Sequence, residues 1–563
     1  MNKELFGVFG GRTAFERVRS PAAFDRVVEG PAVTVGVRDD GLDVPGWTQV
    51  ESRDDGCCVV WGEAYVPDSD SDPATWLLDQ YPSLGAKALS ALNGSFLAVV
   101  DDGFRPVVAG DPLRTRECFF TDLEENRVFG TDPTTVVNLL EDPSPCRRSL
   151  VEFVHLGVVL GDRTLFEDVA RVPFDGYLEP DDSGALDRFV YDAREFNYAD
   201  SLARRLQRAI DRRSGQPGRT GVMLSAGYDS RVLLAELDDV DRCYTVGRPD
   251  SDEVSVSRQL AHQHGADHHV LDPADGYLNT RPETIQYGQS IKESLQVHQA
   301  VDGAHIDVDS LHHGLLFDTL LSGHFLPRRT IDVLDYTFPL RGLESDPDVA
   351  ETLLFDNFGF WTISDLVPSG TVSPPEDSVE FCRDAIETQY DRLADRFDSP
   401  YDAIAAIGIQ NQPAVPFHTH LADNSFATFL AADAELVDWH LNTPPEHRNK
   451  RTYRRALEQV DASLLSPRPP DRPHDSYQLN QIEQFLRRVL PGVTAFESPW
   501  PDRAEQYDRS DLDDRLFDEG SDLREFPPRL KLRLHDAVCW FDSIADGTHV
   551  DPVDVFSSPL ETR

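Results

Sequence analysis

The chain has 563 residues, with 53 Lys and Arg against 99 Asp and Glu, a net charge of −46. That length exceeds one ordinary domain, and an apolar content of 40 % excludes wholesale disorder. Such a charge argues against a nucleic-acid or anionic-membrane surface, because like charge repels phosphate. Only five of the cations are Lys (Lys3, Lys87, Lys292, Lys450 and Lys531). Acid-rich, Lys-poor chains suit a cytoplasm at very high salt, where carboxylates hold water and repulsion is screened.

The stretch from Met1 to Gly11 lacks a basic region followed by an apolar core, and no apolar run approaches the roughly 18 residues a membrane span needs. Seven Cys, two of them adjacent at Cys57 and Cys58 and none in Cys-x-x-Cys spacing, argue against a disulfide framework or a structural zinc site. A soluble cytoplasmic protein with buried thiols is expected.

Residues 1 to about 190 read as mostly β. Short apolar runs at Leu5–Phe9, Ala32–Val37, Cys57–Trp61, Phe96–Val100, Pro106–Ala109, Cys118–Thr121 and Val128–Gly130 are bounded by Gly, Pro and Asp. Helical patches interrupt them at Ala74–Tyr81, Thr134–Leu140 and Leu150–Leu156, and Pro67–Pro73 reads as an acidic loop. After Asp192 the pattern changes. An amphipathic helix at Tyr198–Ser214 precedes a strand at Thr220–Leu224, a loop at Ser225–Ser230 and a helix at Arg231–Leu237. A strand at Arg242–Val246, a helix at Glu253–His264 and a strand at His268–Leu271 follow. This alternation predicts a parallel sheet with right-handed crossovers. The apolar run Leu315–Leu321 predicts one more buried strand. From about 380 the chain reads as helical, with Pro-rich breaks at Ser466–Pro473 and Pro499–Pro501.

The sharpest local feature is Gly221-Val-Met-Leu-Ser225-Ala226-Gly227-Tyr228-Asp229-Ser230-Arg231. A strand entering a turn of small residues and leaving as a helix aims backbone N–H groups at one spot, which suits an anion. Ser225 and Ser230 add hydroxyls, and Gly227 lets the backbone approach closely. Asp229 suits a Mg²⁺ bridging phosphates rather than the phosphates themselves. The loop is neither a Walker A motif nor Gly-x-Gly-x-x-Gly.

Ser-x-Gly-x-Asp-Ser after a strand resembles the pyrophosphate loop of the asparagine synthetase family, usually Ser-Gly-Gly-x-Asp-Ser. Tyr244-Thr245-Val246-Gly247 resembles that family's adenine-holding strand, and Asp252-Glu253 through His268-His269 its following helix and strand. Leu321-Ser322-Gly323 resembles the Ser-Gly turn beside the ribose, and Lys450 stands four residues before the pair Arg454-Arg455, as the family's catalytic Lys does. Asn93-Gly94-Ser95-Phe96, Gly110-Asp111-Pro112-Leu113, Phe129-Gly130-Thr131-Asp132 and Gly161-Asp-Arg163-Thr164-Leu165-Phe166 resemble segments of its class II glutamine amidotransferase domain. The resemblance covers roughly residues 5 to 460 in collinear order.

The resemblance implies an N-terminal αββα sandwich of the α+β, Ntn-hydrolase-like type over residues 1–192. An α/β PP-loop domain, like the adenine nucleotide α-hydrolases, would follow over 193–470, and a helical C-terminal part over 471–563. It implies ATP and Mg²⁺, with Ser225, Gly227, Asp229 and Ser230 on pyrophosphate and metal. Val246, Gly247, Ser322 and Gly323 would frame the nucleoside, and Lys450 would stabilise the transition state. The reaction implied is ATP-dependent amide formation from a small-molecule carboxylate and an amine or ammonia, with no nucleic acid and no membrane involved. A nucleotide-binding or scaffold protein without catalysis is the alternative.

The chain also departs from the family. Phe6 stands where the nucleophilic Cys belongs, no Cys precedes Cys57, and the oxyanion-holding Asn-Gly-Glu reads Trp61-Gly62-Glu63. Glutamine hydrolysis is therefore not expected. The family's Ser-Gly-Glu-Gly-x-Asp-Glu, whose Asp is the second metal ligand, reads Ser322-Gly323-His324-Phe325-Leu326-Pro327, followed by Arg328 and Arg329. On that reading Pro327 replaces the second carboxylate, and Arg328 could neutralise pyrophosphate instead. Arg231 is expected at a phosphate or at the surface. Glu293 is expected on a helix, solvated or orienting the amine. Asp433 is expected to be structural, and Asp423 lies beside the family's substrate-proximal segment, whose Arg is absent here. His262, His264, His268 and His269 are expected at a helix end and a strand start.

Overall fold

The computed structural model describes residues 1–66, 71–216, 218–273, 277–300, 306–333, 336–359, 378–474, 476–489 and 500–543. Most of the acidic loop at 67–73 lies outside them.

The N-terminal strands are β1 (Glu4–Val8), β2 (Arg26–Glu29), β3 (Thr34–Arg38), β4 (Gln49–Arg53), β5 (Gly56–Tyr65) and β6 (Asn93–Asp101). They continue with β7 (Val107–Gly110), β8 (Phe119–Asp122), β9 (Arg127–Gly130), β10 (Ala170–Arg171), β11 (Gly176–Leu178) and β12 (Ser183–Ala185). They form two six-stranded sheets, ordered β10-β8-β9-β1-β3-β2 and β12-β11-β7-β6-β5-β4. The runs of β1, β5, β6 and β7 are largely apolar because both faces of these strands are covered. Along β5, Cys57, Val59 and Trp61 join the core that also holds Leu5, Val35 and Phe129 of the other sheet. Cys58 and Val60 turn the other way, onto Leu77 and Leu78 of helix Pro73–Leu84. Phe6 and Val8 likewise leave the inter-sheet core and pack on Phe15. Gly7 is required here, since a Cβ would fall 2.2 Å from the Phe129 ring.

The second half carries β13 (Thr220–Met223), β14 (Val240–Val246), β15 (Asp267–Leu271), β16 (Ser310–His312) and β19 (Phe426–Thr428), with a separate antiparallel hairpin β17 (Arg328–Val333) and β18 (Tyr336–Leu343) between the last two. The five strands are parallel, in the order β15-β14-β13-β16-β19. Succession runs one way from β13 through β14 to β15, and the other way to β16 and β19. The gap between the carboxyl ends of β13 and β16 is therefore the topological switch point, where open α/β sheets take their ligands.

The run Leu315–Leu321 is not a strand. Its residues form helix Phe317–Ser322, and the strand is the three residues before it, Ser310–His312. The helix after β13 starts at Tyr228 rather than Arg231.

The two halves are bolted together by buried charge. Arg213 pairs with Glu63 of β5 at 2.5 Å and with Asp433 at 2.7 Å, all three fully buried. Lys292 donates to Glu117 at 3.2 Å, beside Arg171 and Arg114. Burial pushes the Lys292 ammonium down to about 8, with Glu117 opposing and Arg171 and Arg114 adding to the fall. The C-terminal helix Pro528–Asp542 packs Leu534, Trp540 and Phe541 into a core shared with Phe119, Val151 and Phe153. All seven cysteines are free thiols, Cys539 alone being half-buried. Among the described residues no helix is long and apolar enough to cross a membrane.

Candidate functional site

The Ser225–Ser230 loop lies at the switch point and is closed on itself. Ser230 Oγ accepts from the Ser225 N–H at 2.9 Å, and Ser225 Oγ accepts from the Gly227 N–H at 3.1 Å. The Ala226 N–H is taken by Glu253 at 2.6 Å. Ala226 is absent from the positive-φ residues, so Ala in place of the family's Gly carries no left-handed strain. Gly227 caps the following helix at φ −68°.

Asp229 stands in the first turn of that helix and forms no ion pair among the described residues. Burial, then the Asp318 carboxylate, pushes its pKa up to about 7, opposed by Tyr453, Arg472 and Lys450. Tyr453 is 3 % exposed, and its hydroxyl lies by Asp229 without a well-formed hydrogen bond. Tyr453 follows Lys450 by three residues on helix Lys450–Val460, capped by Asn449, so both side chains reach the same spot. Lys450 keeps contact with solvent, yet its packed surroundings hold its ammonium below the usual lysine range. Arg472 and Arg328 add to this, and Asp471 and Asp229 oppose it.

Asp318 is a second carboxylate close to Asp229, where the sequence reading took the second carboxylate to be replaced by Pro327. The strand β16 runs parallel beside β13, so the turn after β16, not Ser322–Gly323, meets the loop. There Gly314 is pressed on Asp229: a Cβ would sit 3.0–3.1 Å from its backbone and Cβ. Asp318 follows in the first turn of the next helix. One of its oxygens accepts from the Thr319 N–H at 2.7 Å, and the other faces His324 Nδ1 at 3.7 Å. Asp318 thus offers a second carboxylate beside Asp229 although Pro327 carries none. The Asp318 carboxylate acts electrostatically on Asp229, and these two carboxylates beside the switch point could hold a divalent cation. Among the described residues no group of three or more His, Cys, Asp or Glu could do so. Two carboxylates fit Mg²⁺, which keeps waters and completes its shell with phosphate oxygens. The signal was available: Gly314 and Asp318 keep the four-residue spacing of the Gly and Asp in Ser-Gly-Glu-Gly-x-Asp-Glu.

The other residues fall as follows. Val246 ends β14 and Gly247 follows it, its N–H donating to the Leu271 carbonyl at 3.0 Å. Ser322 and Gly323 close helix Phe317–Ser322 at the end opposite Gly314, with Gly323 hard against the Arg448 carbonyl. Arg231 reaches neither phosphate nor solvent. It is fully buried and donates to the carbonyls of Leu464, Pro467 and Ala226. Glu293 is neither helical nor solvated nor in the cleft. It is 2 % exposed and pairs with Arg533 at 2.7 Å and Arg529 at 2.6 Å, which overcome its burial and hold its pKa at about 2. Asp433 binds Arg212 and Arg213, and Asp423 accepts from the N–H groups of Asn2 and Lys3. His262 lies near the end of helix Asp252–Gln263, and His264 follows it. His268 and His269 lie in β15.

The spot where the resemblance places a glutaminase centre is filled. Phe6 is fully buried, its ring 5.8 Å from that of Phe15. Arg116 lies over Trp61 at 4.6 Å, and Glu63 is spent on Arg213 and the Phe429 N–H. A cavity of about 30 Å³ remains among Trp61, Arg116, Glu117 and His418. That holds a water or two, not an amino acid.

Two solved structures are similar over part of their length. One is the glutamine phosphoribosylpyrophosphate amidotransferase from B. subtilis complexed with ADP and GMP, at 11 % identity and TM-score 0.22, over 47 % of this chain and 65 % of that one. The other is described as the allosteric regulatory enzyme of purine biosynthesis, at 10 % identity and TM-score 0.22, over 48 % and 80 %. This chain thus spans less than two thirds of the first, and scores this low carry no weight in assigning the fold. No curated protein matches. The family model for asparagine synthase matches residues 201–293, the stretch that holds the Ser225–Ser230 loop, Val246, Gly247 and Glu253.

Proposed function

We propose that this protein is an ATP-dependent, amide-forming ligase of the asparagine synthetase type that does not use glutamine. The observation that carries the reading is the pair Asp229 and Asp318 at the switch point, over a loop of small and hydroxyl residues. Asp318 favours this reading over a bare scaffold. A carboxylate oxygen of the acid attacks the α-phosphorus of ATP, and the bond to pyrophosphate breaks. The amine nitrogen then attacks the acyl carbon, the bond to AMP breaks, and the nitrogen sheds a proton.

Ser225, Gly227 and Ser230 line the pyrophosphate side, and Val246 and Gly247 the nucleoside side. Ser322 and Gly323, closing the helix that begins at Phe317 with Gly323 on the Arg448 carbonyl, complete the nucleoside side in this reading. Mg²⁺ between Asp229 and Asp318 would neutralise phosphate charge. Lys450 offers positive charge where it builds up on the phosphorus oxygens. Without Cys at position 6 the nitrogen comes from ammonia or a free amine. The N-terminal domain, read as a degenerate amidotransferase sandwich, then serves as scaffold.

The test is ATP–pyrophosphate exchange across a panel of small carboxylic acids, followed by AMP release on adding ammonium or amines. Exchange with at least one acid is expected. Exchange with none, together with no ATP binding, would refute the reading. With the right acid, ammonium should support AMP release and glutamine should not. Glutamine working as well as ammonium contradicts the filled glutaminase centre.

The acid surplus leads us to infer a cytoplasm of very high salt. Dialysis from molar KCl to low salt is expected to unfold the chain, as followed by circular dichroism, because −46 charges then repel unscreened. An unchanged melting temperature would contradict it.

A further inference from the structure

Carboxylates outnumber cations almost two to one in this chain, and buried or bridging Arg residues generally have an acidic partner. The mouth of the Ser225–Ser230 loop breaks that pattern. Lys450 and Arg328 have no carboxylate within ion-pair distance among the described residues. Arg472 has only its neighbour Asp471, at 2.8 Å.

The backbone explains how the three meet. Buried Arg231 ties the carbonyls of Leu464 and Pro467 to the loop carbonyl of Ala226, which brings the segment ending in Arg472 over the loop. Gly323, its Cα packed on the Arg448 carbonyl, brings the chain that leads to Arg328 beside the start of helix Lys450–Val460. That helix start adds its own partial positive charge. Both arginines repel the Lys450 ammonium, and Arg472 also acts on Asp229. Cations that repel one another, at a helix N-terminus and beside the Asp229–Tyr453 contact, are arranged for an incoming anion rather than for stability.

We propose that Arg328 and Arg472, with Lys450, form a subsite for the pyrophosphoryl part of the nucleotide. Arg328 comes from the base of the β17–β18 hairpin and Arg472 from the Pro-rich segment. This rests on the nucleotide reading above and names two residues that reading does not use. A guanidinium fork grips two phosphate oxygens at once, so the pair selects a polyphosphate over a monophosphate.

Calorimetry with inorganic pyrophosphate, ATP and AMP on the full chain tests it, comparing wild type with Arg328→Ala and Arg472→Ala. Each variant is expected to weaken pyrophosphate and ATP binding about tenfold and to leave AMP binding unchanged. Arg328→Lys should recover part of the loss. Both arginines are solvent-accessible, so the variants should melt as the wild type does. If wild type binds ATP and both variants bind ATP and pyrophosphate equally well, or lose AMP to the same degree, the subsite is wrong and the ligase reading stands. A wild type that binds none of the three removes the ligase reading, and the subsite with it.

Discussion

Asp229→Asn is expected to abolish ATP–pyrophosphate exchange, by about a thousandfold or more, while making the ligand-free protein more stable. The first effect follows from losing one of two carboxylates whose cation would neutralise phosphate charge at the reacting centre. The second follows from the cost of the ionised group. Its pKa is about 7 in the fold against 3.8 for an ordinary Asp, so the folded state holds the proton more tightly than the unfolded one. The ionised form costs nothing below about pH 4, and the cost grows as pH rises through 7. At neutral pH it is on the order of a few kcal/mol. Melting temperatures of wild type and Asp229→Asn should therefore coincide near pH 4 and diverge by pH 8, with the variant higher. A variant that melts lower at pH 8, or keeps exchange activity, would place Asp229 in a structural role. Asp318→Asn should lose exchange as well.

Arg213→Met is expected to be the most damaging single change outside the site. Its guanidinium bridges Glu63 of the N-terminal sheet and Asp433 of the second half, and none of the three meets solvent. Removing it strands two buried carboxylates, a loss of about 3–5 kcal/mol. Arg212 still holds Asp433, so the larger share falls on Glu63 and the junction of the halves. Arg17→Met, which breaks an exposed pair with Glu125, should cost under about 1 kcal/mol. Denaturant unfolding compares the two. Similar small losses would mean that the halves are held by apolar packing alone.

The sequence made some of this legible and hid the rest for identifiable reasons. The loop at Ser225–Ser230 and the strands β13, β14 and β15 could be read because small residues and β-branched runs announce them. The second carboxylate was misplaced because Leu315–Leu321 is a short apolar run, and such runs suit a buried strand and a buried helix equally. The real strand, Ser310–His312, is three residues long and ends in His. Strand β19, Phe426–Thr428, was missed for the same brevity. The partners of Glu293 lie more than 230 residues away, at Arg529 and Arg533, and one chain gives no sign of them. Arg231 was expected at a phosphate or at the surface from its place in the loop, whereas its length serves to reach carbonyls of the Pro-rich segment.

The central claim is that a nucleotide's phosphates sit over the Ser225–Ser230 loop, with a cation between Asp229 and Asp318. A crystal structure grown with α,β-methylene-ATP and MnCl₂ tests it most directly, since Mn²⁺ can be located by its anomalous signal. The account predicts phosphate density at the loop and an anomalous peak touching both carboxylates. A loop free of ligand, or a metal peak elsewhere with Asp229 turned away, would contradict it.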